Sequence, residues 1–203
     1  MTPGVVHPTK ETLIETVVNL LQTRSVDEIN SDQVLEISGI SKGSMYHHFE
    51  DFSDLIEHAQ VARFASFVDQ SIYLLSGILN KAKTREAMLD GIKEITRYTQ
   101  SEELKPQRIE RVTAIAKAGR SERMRANLAQ EQARLTAALA DLFHEVVNRG
   151  WANPAFDPVT VAVLIQSYTM GKIVDDFADQ PMDPEKWIFL IDNLLEMLLF
   201  KRA

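Results

Sequence analysis

The chain has 203 residues, 45% of them hydrophobic, a net charge of −7 and no cysteine. That length and apolar content can bury a substantial core and exclude a disordered chain. The missing thiols exclude disulfides, thiolate metal sites and a cysteine nucleophile, and they fit a reducing compartment. No basic stretch precedes an apolar core at the N-terminus, and the most apolar run, from Trp187 to Phe200, is broken by Asp192, Asn193 and Glu196. A cytoplasmic protein without signal peptide or membrane contact is therefore expected.

Helical periodicity dominates, so the expected class is all-α. Leu13, Ile14, Val17, Val18, Leu20 and Leu21 form one apolar stripe, which predicts a first helix over Lys10 to Gln22 with Thr9 as its N-cap. A short second helix fits Ser31 to Ser38, capped by Asn30. Gly39-Ile40-Ser41 then breaks the pattern: Gly39 tolerates a positive φ, and Ser41 can cap a third helix over Lys42 to Phe49. Two short helices joined by a glycine-containing turn predict a helix-turn-helix. A long helical stretch follows Asp51, with a break expected at Gly77 to Lys83. Helices are predicted over Thr84 to Thr99, Gln107 to Lys117 and Glu122 to Asn148, and Gly150-Trp151-Ala152-Asn153-Pro154 is a stop.

The last two predicted helices, Pro158 to Ala178 and Pro184 to Lys201, are apolar around most of their circumference. Such helices need burial on more than one side. Pairing with a symmetry mate in a four-helix bundle supplies it, so a homodimer is expected with Leu164, Ile165, Leu194, Leu195 and Leu198 at its interface.

At Ser41-Lys42-Gly43-Ser44-Met45-Tyr46-His47-His48-Phe49 the chain resembles the tetracycline-repressor (TetR) family of transcription regulators. The resemblance covers roughly Lys10 to Leu55 and rests on the joint pattern of first helix, Asn30-Ser31, Gly39-Ile40-Ser41, the spacing of Gly43, Tyr46 and Phe49, and Leu55. It implies about nine helices, a terminal dimer bundle and mid-chain helices around an inducer pocket. The chain departs from the family pattern at Leu35 and Ser38, where alanines are usual, and at Phe52, where a phosphate-contacting lysine is typical.

A recognition helix reads the major groove with its N-terminal residues. Lys42 and Ser44 can donate to phosphates or base edges, Gly43 permits close backbone approach, and His47 lies one turn beyond on the same face. Tyr46 offers a hydroxyl to phosphate, as do Ser41 and Ser31 at helix starts. Met45 and Phe49, four apart, should face the core. Against DNA binding stands the charge: in residues 1–60, Lys10, Arg24 and Lys42 face ten carboxylates. The alternative is therefore a degenerate head acting through protein partners.

His47 is assigned to DNA, His48 to packing and His58 to solvent rather than to a metal site; Arg120, Arg123 and Arg125 are read as solvated surface. Phe64, Phe67, Tyr98, Phe143, Gln166, Tyr168, Met170 and Asp175 are candidates for lining an inducer pocket. Gln166, Asp175 and Asp176 interrupt an apolar helix and need partners there. No nucleophile elbow, phosphate loop, dinucleotide fingerprint or di-iron motif occurs, so neither an enzyme nor a cofactor is expected. The full expectation is a DNA-binding head on residues 1–51 and a ligand-binding, dimerising body on 52–203. It would be a repressor released from a palindromic double-stranded operator by a small-molecule inducer.

Overall fold

The computed structural model describes residues 7–197. Among these the secondary structure is helical with no strand. Leu198, expected at the dimer interface, lies outside the described residues.

Helix α1 spans Pro8–Leu20 and is capped by the His7 side chain, not by Thr9. Pro8 thereby occupies the first turn, where its missing N–H costs nothing. A 3-10 turn at Val26–Glu28 follows, held by a reciprocal Ser25–Glu28 box. Helix α2, Ser31–Ser38, has Asn30 accepting from the Gln33 amide. Gly39 then turns with φ 67°. The Ser38 hydroxyl accepts from the Ile40 amide and donates to the Leu35 carbonyl, which gives a local role to a residue where alanine is usual. Ser41 accepts from the Ser44 amide and starts α3, Lys42–His48. Leu13, Val17, Ile29, Val34, Met45 and Phe49 close a small core, completed by Leu55, Ile56 and Ala59 of the following helix. Leu35 and Phe52, two other departures from the family pattern, pack against the same core.

Helix α4 runs from Phe52 to Lys81 without the expected break at Gly77. Its 30 residues make a rod of about 45 Å. Its C-terminal carbonyls are satisfied from outside: the Arg149 guanidinium donates to the Leu79 and Ala82 carbonyls. Helix α5 is Arg85–Gln100, capped by Thr84. It approaches α4 so closely that a methyl group at Gly91 would lie 2.8 Å from Ile78 Cγ2. Helix α6 is Lys105–Ala118 and α7 is Glu122–Asn148. Helix α7 ends on Gly150 at φ 71°, with Gly150 and Trp151 amides returning to the Val147 and Val146 carbonyls.

Helix α8, Pro158–Gly171, stops one residue before a single-turn α9, Ile173–Asp176. Taken as one interrupted helix, these leave nine among the described residues. An ion cluster lies at the interruption. Lys172 and Asp176 turn inward to meet Arg108 of α6, with Asp176 Oδ1 and Oδ2 each 2.9 Å from the guanidinium and Lys172 Nζ 3.1 Å from Asp176. Helix α10 is Pro184–Leu195. Two apolar clusters fill the body: one joins α4, α6, α7 and α8 around Phe64, Met124 and Leu135, the other joins α5, α7, α8 and α10 around Met88, Phe143 and Leu195. No helix among the described residues is long and apolar enough to cross a membrane.

Candidate nucleic-acid interface and ligand cavity

Helix α3 divides cleanly between its two faces. Met45 and Phe49 are buried in the head core, whereas Lys42, Gly43, Tyr46 and His47 are exposed and Ser44 is half-buried. A methyl group at Gly43 would meet no atom within 4 Å. The space in front of the backbone is thus open, and the fold itself makes no demand for glycine there. Ser31 stands half-buried at the first position of α2, while Ser41 is exposed as the cap of α3. His48 sits half-buried with its ring centroid 4.7 Å from that of His7. Desolvation, then the neighbouring His7, His47 and Lys10, push its imidazole below the ordinary value, so it adds no cation at neutral pH.

His58 is not a solvent group. Its Nδ1 lies 2.9 Å from the Asp54 carbonyl, its Nε2 3.3 Å from Lys10 Nζ, and its ring stands edge-on to Phe49. Lys10 can only donate, so Nε2 accepts and Nδ1 carries the proton. Nor is Arg123 solvated surface: it reaches Glu57 at 2.9 Å, Asp54 at 3.2 Å and Glu50 at 2.8 Å. Three of the ten head-segment carboxylates thus meet a cation from the start of α7. The hydrogen bond it donates to Glu57 and the three nearby negative charges hold Arg123 above its ordinary value. Among the described residues no three His, Asp or Glu side chains converge as a metal site.

A cavity of about 100 Å³ opens between α4, α5, α6, α7 and α8. Phe143, Gln166 and Tyr168 line it. Phe64 and Phe67 instead line a crevice of about 280 Å³ between the Leu21–Val26 segment, α4 and α6. Tyr98 lies on outer grooves, half exposed, with its hydroxyl 3.4 Å from Gln70. Met170 is half-buried and lines none of these spaces, and Asp175 accepts the Met182 amide at 3.0 Å. Gln166 finds its partners on α7, hydrogen-bonding Gln132 and Thr136. Asp176 finds Arg108 and Lys172: burial alone would raise its carboxyl, but those two cations hold it below the ordinary value.

One residue that sequence reasoning passed over is Arg111. It lies on the walls of both the cavity and the crevice. The available signal is its register: Arg108, Arg111, Ala114 and Ala118 follow helical spacing, and Arg108, Ala114 and Ala118 are buried.

The interface residues expected on α8 and α10 separate. Leu195 is completely buried in the core, and Ile165 is half-buried against both body clusters. Leu195 is therefore not an interface residue in this fold: α10 turns it inward with Ile188 and Ile191. Leu164 is 39% exposed and Leu194 half-buried. The outward apolar stripe consists of Val159, Val163 and Leu164 on α8 and of Phe189, Leu190 and Met197 on and just beyond α10, with Phe189 70% exposed.

No protein-family model matches the chain. The nucleoid occlusion factor SlmA of Marinomonas sp. (strain MWYL1) is 23% identical over 190 residues, which cover 90% of this chain and 93% of that protein. Among solved structures, a TetR-family transcriptional regulator from Mesorhizobium loti superposes with a TM-score of 0.68 at 16% identity, over 93% of this chain and 94% of that one. Reduced NemR of E. coli does so with a TM-score of 0.65 at 16% identity, over 95% and 98%. GusR of Salmonella enterica gives 0.68 at 18% identity, over 95% of each chain. The chain has the fold of the TetR-family transcriptional regulators.

Proposed function

We propose that the chain is a TetR-type transcription regulator of the cytoplasm that binds a palindromic operator as a homodimer and releases it when a small molecule enters the body. The head on residues 1–51 reads DNA, and the body on 52–203 senses and dimerises. The observation that carries this reading is the division of α3. Lys42, Gly43, Tyr46 and His47 face outward from a helix whose other side, Met45 and Phe49, is locked into the head core. That is the presentation a major-groove reader needs. Ser31, Ser41 and Ser44 add hydroxyl and amide donors at two helix starts for phosphates.

The charge objection weakens at close range. Arg123 engages Glu50, Asp54 and Glu57, so one of those three negative charges is offset beside the DNA-facing helix. The outward stripes of α8 and α10 are the faces through which two copies would meet as a four-helix bundle. A dimer whose recognition helices stand about 34–36 Å apart spans two half-sites one helical turn apart. A ligand that binds the other spacing better shifts the equilibrium away from DNA by its differential affinity.

The test uses two head variants. Lys42→Ala and Tyr46→Ala should each weaken operator binding in fluorescence anisotropy while sedimentation still reports a dimer. Undiminished DNA binding by both variants would remove α3 from the interface.

A further inference from the structure

The inner cavity holds a cation without a counter-ion. Arg111 Nε is sealed from solvent and has no acceptor. Among the described residues no carboxylate pairs with its guanidinium, whose carbon stands 5.6 Å from the centre of the Phe64 ring. The neighbouring carboxylates are engaged elsewhere: Glu110 with Arg63 at 2.5 Å, and Asp176 with Arg108 and Lys172. Burial pushes the Arg111 guanidinium below its ordinary value. A guanidinium nevertheless stays protonated in proteins. A partly desolvated charge of this kind costs stability until something pairs with it.

The other polar groups of the cavity wall have already spent their donors. The hydroxyls of Ser71, Thr96, Thr99 and Thr169 donate to carbonyls of their own helices, at Phe67, Ile92, Thr96 and Ile165. Tyr168 meets the Thr96 hydroxyl at 3.4 Å. Thr96 gives its proton to Ile92, so Tyr168 is the donor of that pair. Gln166 donates to Thr136 and to Ala162. Arg111 is thus the one uncommitted donor among the described lining residues, and the remaining walls, such as Leu75, Ile92, Leu135 and Leu139, are aliphatic.

We infer that the ligand of this cavity is a compact apolar monoanion, a carboxylate on a short hydrocarbon chain, with its carboxylate bound by Arg111. A guanidinium fork matches a carboxylate with two parallel hydrogen bonds. The cavity, at about 100 Å³, sets the size of the apolar body. Benzene takes a cavity of roughly 150 Å³, so the apolar body here is smaller than an aromatic ring. The inference rests on the cavity being the sensor site of the proposed regulator and adds to it the chemical class of the effector. It also gives the effector a route to the head. Arg111 belongs to the crevice that Leu21, Arg24 and Val26 share with α4 and α6, so an anion drawn to it acts where head meets body.

The experiment measures binding of propionate, butyrate and isobutyrate, each beside its neutral amide, to the full-length protein by calorimetry and thermal shift. Wild type should bind at least one acid, with its amide at least tenfold weaker. Arg111→Met and Arg111→Gln should weaken that acid by roughly ten- to a hundredfold, the range for losing a charged hydrogen bond. Arg111→Met, which removes an unpaired, partly desolvated charge, should melt no lower than wild type. Equal binding of acid and amide, unchanged acid binding by both variants, or no acid binding by wild type would each overturn the inference. Operator binding in the same samples separates the two claims. Release by a neutral compound alone would leave the regulator standing without this effector class. Acid binding without any change in operator affinity would leave the anion site standing without the regulatory coupling.

Discussion

At the scale of single residues, Gly43 separates folding from function. It lies inside a helix at an ordinary φ, and a methyl group there would touch nothing. Gly43→Ala should therefore raise stability by up to about 1 kcal/mol through helix propensity alone. It should also lower DNA affinity by holding the backbone off the duplex. Urea unfolding and anisotropy on the same preparation measure both effects; a variant that binds DNA normally would show that nothing approaches Gly43 closely. Asp176 is the opposite case, a residue held in place by burial and charge. Its side chain is 1% exposed against Arg108 at 3%. Asp176→Asn should cost about 3–5 kcal/mol, because removing one partner strands a buried charge. The folded carboxyl lies below its ordinary value of 3.8. Its contribution is accordingly complete above that pH and is lost as pH falls through the lower, folded value. Wild type should lose stability over that acid window, and Asp176→Asn should lose less there.

At the scale of elements, what could be read in advance depended on how local the signals were. Helices α2 and α3 and the turn between them were legible because Asn30, Gly39 and Ser41 act within four residues of themselves. The continuity of α4 through Gly77 was not, because its end is stabilised by Arg149, about seventy residues away. The ion cluster beside the stop after Gly171 was equally hidden, since it is centred on Arg108 of another helix. In α10, apolar side chains point both ways, so spacing could not tell buried Leu195 from outward Phe189 and Leu190. Arg111 had only its helical register as a signal, because the groups around it come from other helices. Arg123 shows the same limit, and it ties the start of α7 to the end of the head. Arg123→Gln should lower the melting temperature and weaken operator binding. The loss in binding should be largest at low salt, where the freed Glu50, Asp54 and Glu57 are least screened. An unchanged melt would show that the tie carries no stability.

At the scale of the whole molecule, the account requires two copies. The outward stripe of α8 and α10 exposes Val163, Phe189 and Leu190 at 50%, 70% and 56%. Leu190→Glu should dissociate the dimer in sedimentation while keeping the helical circular dichroism. Leu195→Glu should instead unfold the protein, because it places a carboxylate in the core. Dissociation without unfolding by the second variant, or an unchanged mass for the first, would move the interface elsewhere. The central claim is that this dimer reads DNA, and selection of bound duplexes from a random-sequence pool at low salt, near pH 6.5, tests it most directly. The account predicts an enriched palindrome with half-sites about one helical turn apart. No enrichment, from protein shown to be folded and dimeric, would contradict it.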